Sequence, residues 1–177
     1  MRHKVILSVN CYLCKLLKHP NWSHGCDKSA MAKEIERKYL VTDTSYREDA
    51  VEKRHIVQAY LNRDPKATVR IRITDDGAYL TIKGKNNGAV RDEWEYAIPV
   101  CDARDMIERC ATGRVIVKTR YIVPFDGRIW EVDEFGGELE GLTVAEIELP
   151  DADALFSLPK FIGNEVTGDP RYYNSSL

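Results

Sequence analysis

This chain of 177 residues has no long apolar run, little net charge and an odd number of cysteines. Nothing in it approaches the roughly 18 consecutive apolar residues of a membrane span, so no membrane association is expected. Its start, "MRHKVILSVNCYLCKLL", has a basic tip and a short apolar stretch, but "KHPNWSHGC" follows where a small-residue cleavage site would stand. That argues against a secretory leader. Lys and Arg total 26 against 28 Asp and Glu, so no global field draws nucleic acid and no nucleic-acid partner is expected. Five cysteines fit a reducing compartment better than a disulfide framework, and a cytoplasmic location is the expectation. Repeats, low-complexity tracts and internal linkers are lacking too.

What is present begins with an oddity. Cys11, Cys14 and Cys26 share the first thirty residues with His3, His19 and His24. Soft ligands of this kind suit tetrahedral zinc, but their spacing follows none of the familiar zinc patterns. Met31 opens "MAKEIERKYLV" like a natural beginning. Residues 1–30 are therefore expected to be a poorly packed extension, with a short helix around Val5 to Leu17, and residues 31–177 a single domain.

From Lys33 onward, short alternating segments are punctuated by turn residues. They are "EIERKYLV", "HIVQAYLN", "TVRIRITD", "AYLTIKG", "RDEWEYAIP", "RVIVKTRYIVPF", "RIWEVDEF" and "TVAEIELP". Turn chemistry separates them at Arg63-Asp64-Pro65, Asp75-Asp76-Gly77, Asn86-Asn87-Gly88, Asp126-Gly127 and Gly136-Gly137. Two segments read as helical. Asp102 to Ala111 starts at an Asp cap and puts Met106, Ile107 and Cys110 on one stripe; "DADALFSL" after Pro150 is shorter. The fold class is mainly β (α+β), antiparallel, with a few flanking helices.

Successive side chains of a strand point to opposite faces, and that period sorts the charges. Arg70 pairs with Arg72, Thr81 with Lys83, Glu93 with Glu95, Lys118 with Arg120, Glu131 with Asp133, and Glu146 with Glu148; Glu34, Glu36 and Lys38 share a face of the first strand. The opposite faces carry Val, Ile, Leu, Trp and Tyr. Any one pair alone reads as the solvated face of a half-buried strand. Together, pairs so uniformly of one sign point to a shared polar interior, as in a barrel of about eight strands. Carboxylates crowded there would repel, and so would the cations. The arrangement is self-consistent if a polyanion occupies the basic side and hard divalent cations the acidic side.

In this order the segments resemble the CYTH superfamily, the triphosphate tunnel metalloenzymes. Glu-x-Glu-x-Lys at Glu34 is followed by "QAYL", "VRIR", "LTIKG", "RDEWEY", "KTRY", "WEVDEF", "AEIEL" and "EVTGDPRYYN", covering Ala32 to Leu177. The family includes bacterial inorganic triphosphatases, mammalian thiamine triphosphatase, fungal-type RNA triphosphatases and class IV adenylyl cyclases. The resemblance implies a closed antiparallel eight-stranded β-barrel whose tunnel binds a linear triphosphate and Mg2+ or Mn2+. It implies that Lys38, Arg70, Arg72, Lys83, Lys118 and Arg120 grip phosphate, Lys83 and Arg120 also serving catalysis. Glu34, Glu36, Glu146 and Glu148 would hold metal, and Glu93, Glu95, Glu131 and Asp133 would be further ligands or orient water. Tyr60 follows Ala59 where relatives often have Gly; with an ordinary pKa of about 10 it suits positioning better than proton abstraction. Arg171 either closes over phosphate or pairs with an acidic neighbour.

The implied activity is metal-dependent hydrolysis of a triphosphate, inorganic triphosphate first, with nucleoside or thiamine triphosphate as other substrates, by a monomer or homodimer. A class IV cyclase making cyclic AMP from ATP is the main alternative, although no adenine pocket is evident. A non-catalytic polyphosphate- or nucleotide-binding module is the other, and the retained carboxylates speak against it.

Overall fold

Residues 35–85, 92–151 and 153–177 are described by the computed structural model. The Cys- and His-bearing first thirty residues, Met31, Glu34 and the Asn86-Asn87-Gly88 turn lie outside them. Nine strands form one antiparallel sheet: β1 (Glu36–Val41), β2 (Glu52–Asn62), β3 (Ala67–Thr74), β4 (Gly77–Gly84), β5 (Glu93–Ile98), β6 (Ile116–Phe125), β7 (Arg128–Phe135), β8 (Thr143–Glu148) and β9 (Ile162–Glu165). Their spatial order is β5-β4-β3-β2-β6-β7-β8-β1-β9. Local turns explain the hairpins. Between β6 and β7, Asp126 (φ 48°) and Gly127 (φ 73°) give the two successive positive φ values of the turn that matches strand twist.

The expected closed eight-stranded barrel is corrected in two respects: among the described residues there are nine strands, and β5 and β9 are free edges of their sheet. β9 has only four residues, and its pairing to β1 is broken by an irregularity between Tyr39 and Val41. At Val166, whose N–H bonds the Lys38 carbonyl at 2.8 Å, the chain leaves the sheet, and among the described residues no ladder joins β9 to β5. β9 is also cramped. A Cβ on Gly163 would meet Thr42 Cγ2 at 2.9 Å and the Leu40 carbonyl at 3.2 Å. Gly163→Ala is therefore expected to cost about 1–2 kcal/mol of overpacking, read as a lower denaturant midpoint.

The apolar strand faces lie opposite the charged pairs and are largely covered, although Trp94 and Val117 remain exposed. Tyr39, Tyr121, Val123, Trp130, Val132, Ala145 and Ile147 form the main core with Tyr46, Leu149 and Phe161. Tyr46 comes from the short helix α1 (Tyr46–Asp49). Trp130 is fully buried, edge-on to Tyr39 at 5.6 Å and Phe156 at 6.0 Å. A second cluster seats α2 (Val100–Cys110) on β3 and β4, with Ala103, Met106 and Ile107 against Ile71, Ala78 and Leu80. The helix starts two residues before the expected Asp102 cap and leaves Cys110 exposed. Among the described residues the second expected helix is not formed: Asp151 instead caps a turn, accepting from the Asp153 N–H at 3.0 Å. So short a segment cannot outweigh such local bonding.

Candidate active site

Residues opposite one another in an antiparallel ladder project to the same face, so register alone assembles the site. Lys38 sits opposite Glu146, Glu36 opposite Glu148, Glu131 opposite Glu146 and Arg120 opposite Asp133. Gln58 faces Arg72, Tyr60 faces Arg70, Arg70 faces Thr81, Thr81 faces Glu95, and Lys83 faces Glu93. Arg54 is opposite Arg120 and Ile56 opposite Lys118, both on β2, which joins the two halves. Every described candidate on β1 to β8 therefore lies on one polar face. Glu34 is outside the described residues. Arg171 stands apart, exposed and paired with Asp169 at 2.6 Å.

One half is a buried charge network. Lys118 Nζ donates to Asp133 Oδ2 at 2.5 Å. Arg120 grips Asp133 with Nε and Nη2, both at 2.7 Å, reaches Glu146 at 3.2 Å and bonds Glu131 through Nη1. Lys38 Nζ lies 2.7 Å from Glu146 and 3.9 Å from Glu36. In the other half Lys83 pairs with Glu93 at 2.6 Å, and Arg72 with Glu95 at 2.9 Å. Arg70 is 3.7 Å from Glu95 and 3.2 Å from the Thr81 hydroxyl.

Burial and neighbours set the ionisation. Burial pushes the Lys118 ammonium down to about 8, against the pull of Asp133 and with the help of repulsion from Arg120. Burial also lowers Arg72, and the adjacent Arg70 adds to it. For Asp133 and Glu146, burial would raise the carboxyl pKa, but cations outweigh it. Arg120 and Lys118 hold Asp133 well below the usual carboxylate range, and Lys38 and Arg120 hold Glu146 at about 2. Because the folded values are depressed, this share of stability is complete above the ordinary 4.5 of a glutamate and is lost as pH falls towards about 2. Thermal melts in chelator should show that decline, and Glu146→Gln should flatten it.

Three residues escaped the sequence reading. Arg54 continues the period of Gln58 and Ile56, and its bidentate bond to Glu52 at 2.5 and 2.8 Å holds it at the rim. Gln58 is fully buried with an unpartnered Nε2; it stood within "QAYL", but a neutral side chain gives no sign to sort. Arg63 follows β2 in a turn, where no period applies. Its guanidinium lies 5.5 Å from the Tyr60 ring.

The donor chemistry suits hard cations. Glu36 and Glu148 are like charges side by side, as are Glu131 and Glu146, an arrangement that costs stability unless a cation intervenes. Among the described residues, however, no three carboxylate, His or Cys side chains are already gathered as a metal cluster. No helix among those residues is long and apolar enough to cross a membrane.

Comparison with known proteins identifies the family. The CYTH domain family model matches residues 32–173. An inorganic triphosphatase of Acetivibrio thermocellus is 49% identical over 147 residues, covering 83% of this chain and 94% of the relative. Another, from Nitrosomonas europaea, is 34% identical over 149 residues, covering 81% and 95%. The crystal structure of an inorganic triphosphatase aligns with a TM-score of 0.61 at 33% identity, over 82% of this chain and 94% of that one. A Pyrococcus furiosus protein at 20% identity shares the fold, with a TM-score of 0.53 over 68% of this chain and 80% of its own.

Proposed function

The chain belongs to the CYTH domain family, and from that premise we propose that it hydrolyses inorganic triphosphate to phosphate and pyrophosphate with a divalent cation. The single observation that carries this is the kind of atom left without a partner on the polar face. Gln58 Nε2, Arg70 Nε and Arg72 Nε are buried and unpartnered among the described residues. All three are donors, and a buried donor without an acceptor is costly. The oxygens of a linear phosphate chain are acceptors of the right charge.

Arg70, Arg72 and Lys83 from one half, and Lys38, Lys118 and Arg120 from the other, would bind the chain from two sides. They would exchange carboxylate partners for phosphate oxygens and hold the terminal phosphorus for in-line attack by water. The same cations stabilise the charge that grows on the departing pyrophosphate. Tyr60 is 6% exposed beneath Arg63 and among apolar side chains, which supports a positioning role. Glu36, Glu146 and Glu148, joined by Glu34, are the proposed holders of Mg2+ or Mn2+, with Glu131 and Asp133 behind them and Glu93 and Glu95 on the opposite half. When bound, the cation supplies charge neutralisation and a water of lowered pKa.

The purified protein is to be incubated with Mg2+ or Mn2+ and either inorganic triphosphate or ATP. Phosphate release from triphosphate, stopped by chelator and without cyclic AMP from ATP, is expected. Cyclic AMP with pyrophosphate would identify a cyclase, and tight triphosphate binding without turnover would identify a binding module. Glu148→Gln should raise the metal concentration needed for half-maximal rate; an unchanged requirement removes Glu148 from the metal set.

A further inference from the structure

The polar face is not polar along its whole length. On β2, β6, β7 and β8 its last positions towards one end are Tyr60, Ile116, Phe135 and Val144, which cluster and are buried. The segment from Val166 onward lies across this end. Lys38 N–H donates to Thr167 Oγ1 at 2.9 Å, and Lys38 Nζ donates to the Tyr172 carbonyl at 3.2 Å and lies 5.9 Å from the Tyr173 ring. Tyr172 and Leu177 pack onto the apolar cluster.

Arg63 fastens the far part of the segment. Its Nη1 donates to the carbonyls of Ser175 at 3.1 Å and Leu177 at 3.3 Å, while its guanidinium lies over the Tyr60 ring. Gly113 makes room for it: a Cβ there would stand 3.0 Å from Arg63 Nη2. Arg63 Nε and Nη2 are buried without partners among the described residues. A cation placed at the closed end in this way draws the negative terminus of a phosphate chain towards it. At the opposite end the charged groups Arg54, Glu36 and Glu131 stand at the rim beside Ile122 and Ile129.

Resting on the triphosphatase reading, we propose that Arg63 is a specificity-determining positioning residue. By clamping the segment Val166–Leu177 onto Tyr60, it makes an end stop that sets the register of a linear inorganic polyphosphate. The terminal phosphate comes to rest against the strap beside Lys38, whose ammonium the Tyr172 carbonyl helps to aim. A three-phosphate chain then fills the cationic face in one register. With the stop released, the chain slides: triphosphate spends less time in register, and a longer chain gains room.

The test compares kcat/KM for inorganic triphosphate and linear inorganic tetraphosphate in wild type, Arg63→Ala, Arg63→Lys and Tyr172→Ala, with thermal melts as the check of folding. The preference for triphosphate over tetraphosphate is expected to fall by about tenfold in Arg63→Ala and Tyr172→Ala, the scale of a steric discrimination. Arg63→Lys, which keeps the charge and can still reach one carbonyl, is expected to retain part of it. A preference that stays at the wild-type value overturns the stop, whether both substrates lose rate equally or tetraphosphate remains uncleaved. If wild type does not hydrolyse triphosphate at all, the functional reading fails instead. The relative affinities for the two chains, measured by calorimetry on the same variants, then decide the stop by themselves.

Discussion

Arg72→Ala should lower kcat/KM for inorganic triphosphate by about 10²–10³-fold, the usual cost of removing one preorganised donor to a developing oxyanion. The same change should leave the melting temperature nearly untouched. The reason lies in what Arg72 does before substrate arrives. One nitrogen meets Glu95 at 2.9 Å, another is buried without a partner, and the adjacent Arg70 repels it. Deleting it relieves that repulsion while removing the unpartnered Nε–H and the guanidinium proposed to bind phosphate. Arg72→Lys should recover only part of the loss, because an ammonium cannot reproduce the planar fork. Steady-state kinetics on the three proteins decide the matter. Full activity in Arg72→Ala would place the phosphate elsewhere.

Asp133→Ala should have the opposite profile, with the larger effect on folding. Asp133 is 1% exposed and is the shared partner of Lys118 and Arg120. Without it Lys118 is left beside Arg120 with no direct carboxylate partner. Removing one member of a buried ion pair costs about 3–5 kcal/mol, which denaturant titration would read directly. The double variant Lys118→Met with Asp133→Leu should regain much of that stability, because an apolar pair needs no desolvation, yet remain inactive. A stable Asp133→Ala single variant would show that Glu131 and Glu146 suffice to hold both cations.

The alternation of residue types carried much of this structure. Arg70 with Arg72, Lys118 with Arg120, and Glu146 with Glu148 could be assigned to one face because a strand has a period of two whatever its neighbours are. The same period explains why Trp130 lies on the outer face and is covered. Closure was beyond its reach. Whether β5 meets β9 depends on where the chain turns after Glu165, and "IGNEVTGD" has no alternation to follow. The helix expected after Pro150 failed because Asp151 found a local backbone partner. Arg63 and Gln58 were missed for different reasons. The first lies in a turn, and the second carries no charge, so neither could be found by sorting signs along strands.

The pairing of β1 with β8 also has a consequence for how the protein is made. Glu36 and Lys38 leave the ribosome early, but their ladder partners Glu148 and Glu146 follow more than a hundred residues later. Hairpins such as β3–β4 and β6–β7 can form during synthesis. β1 has nothing to pair with until β8 emerges, and contacts of such separation are slow to form. The polar face is thus completed only once β8 has emerged, and a chain that stops short of β8 leaves Glu36 and Lys38 without their ladder partners.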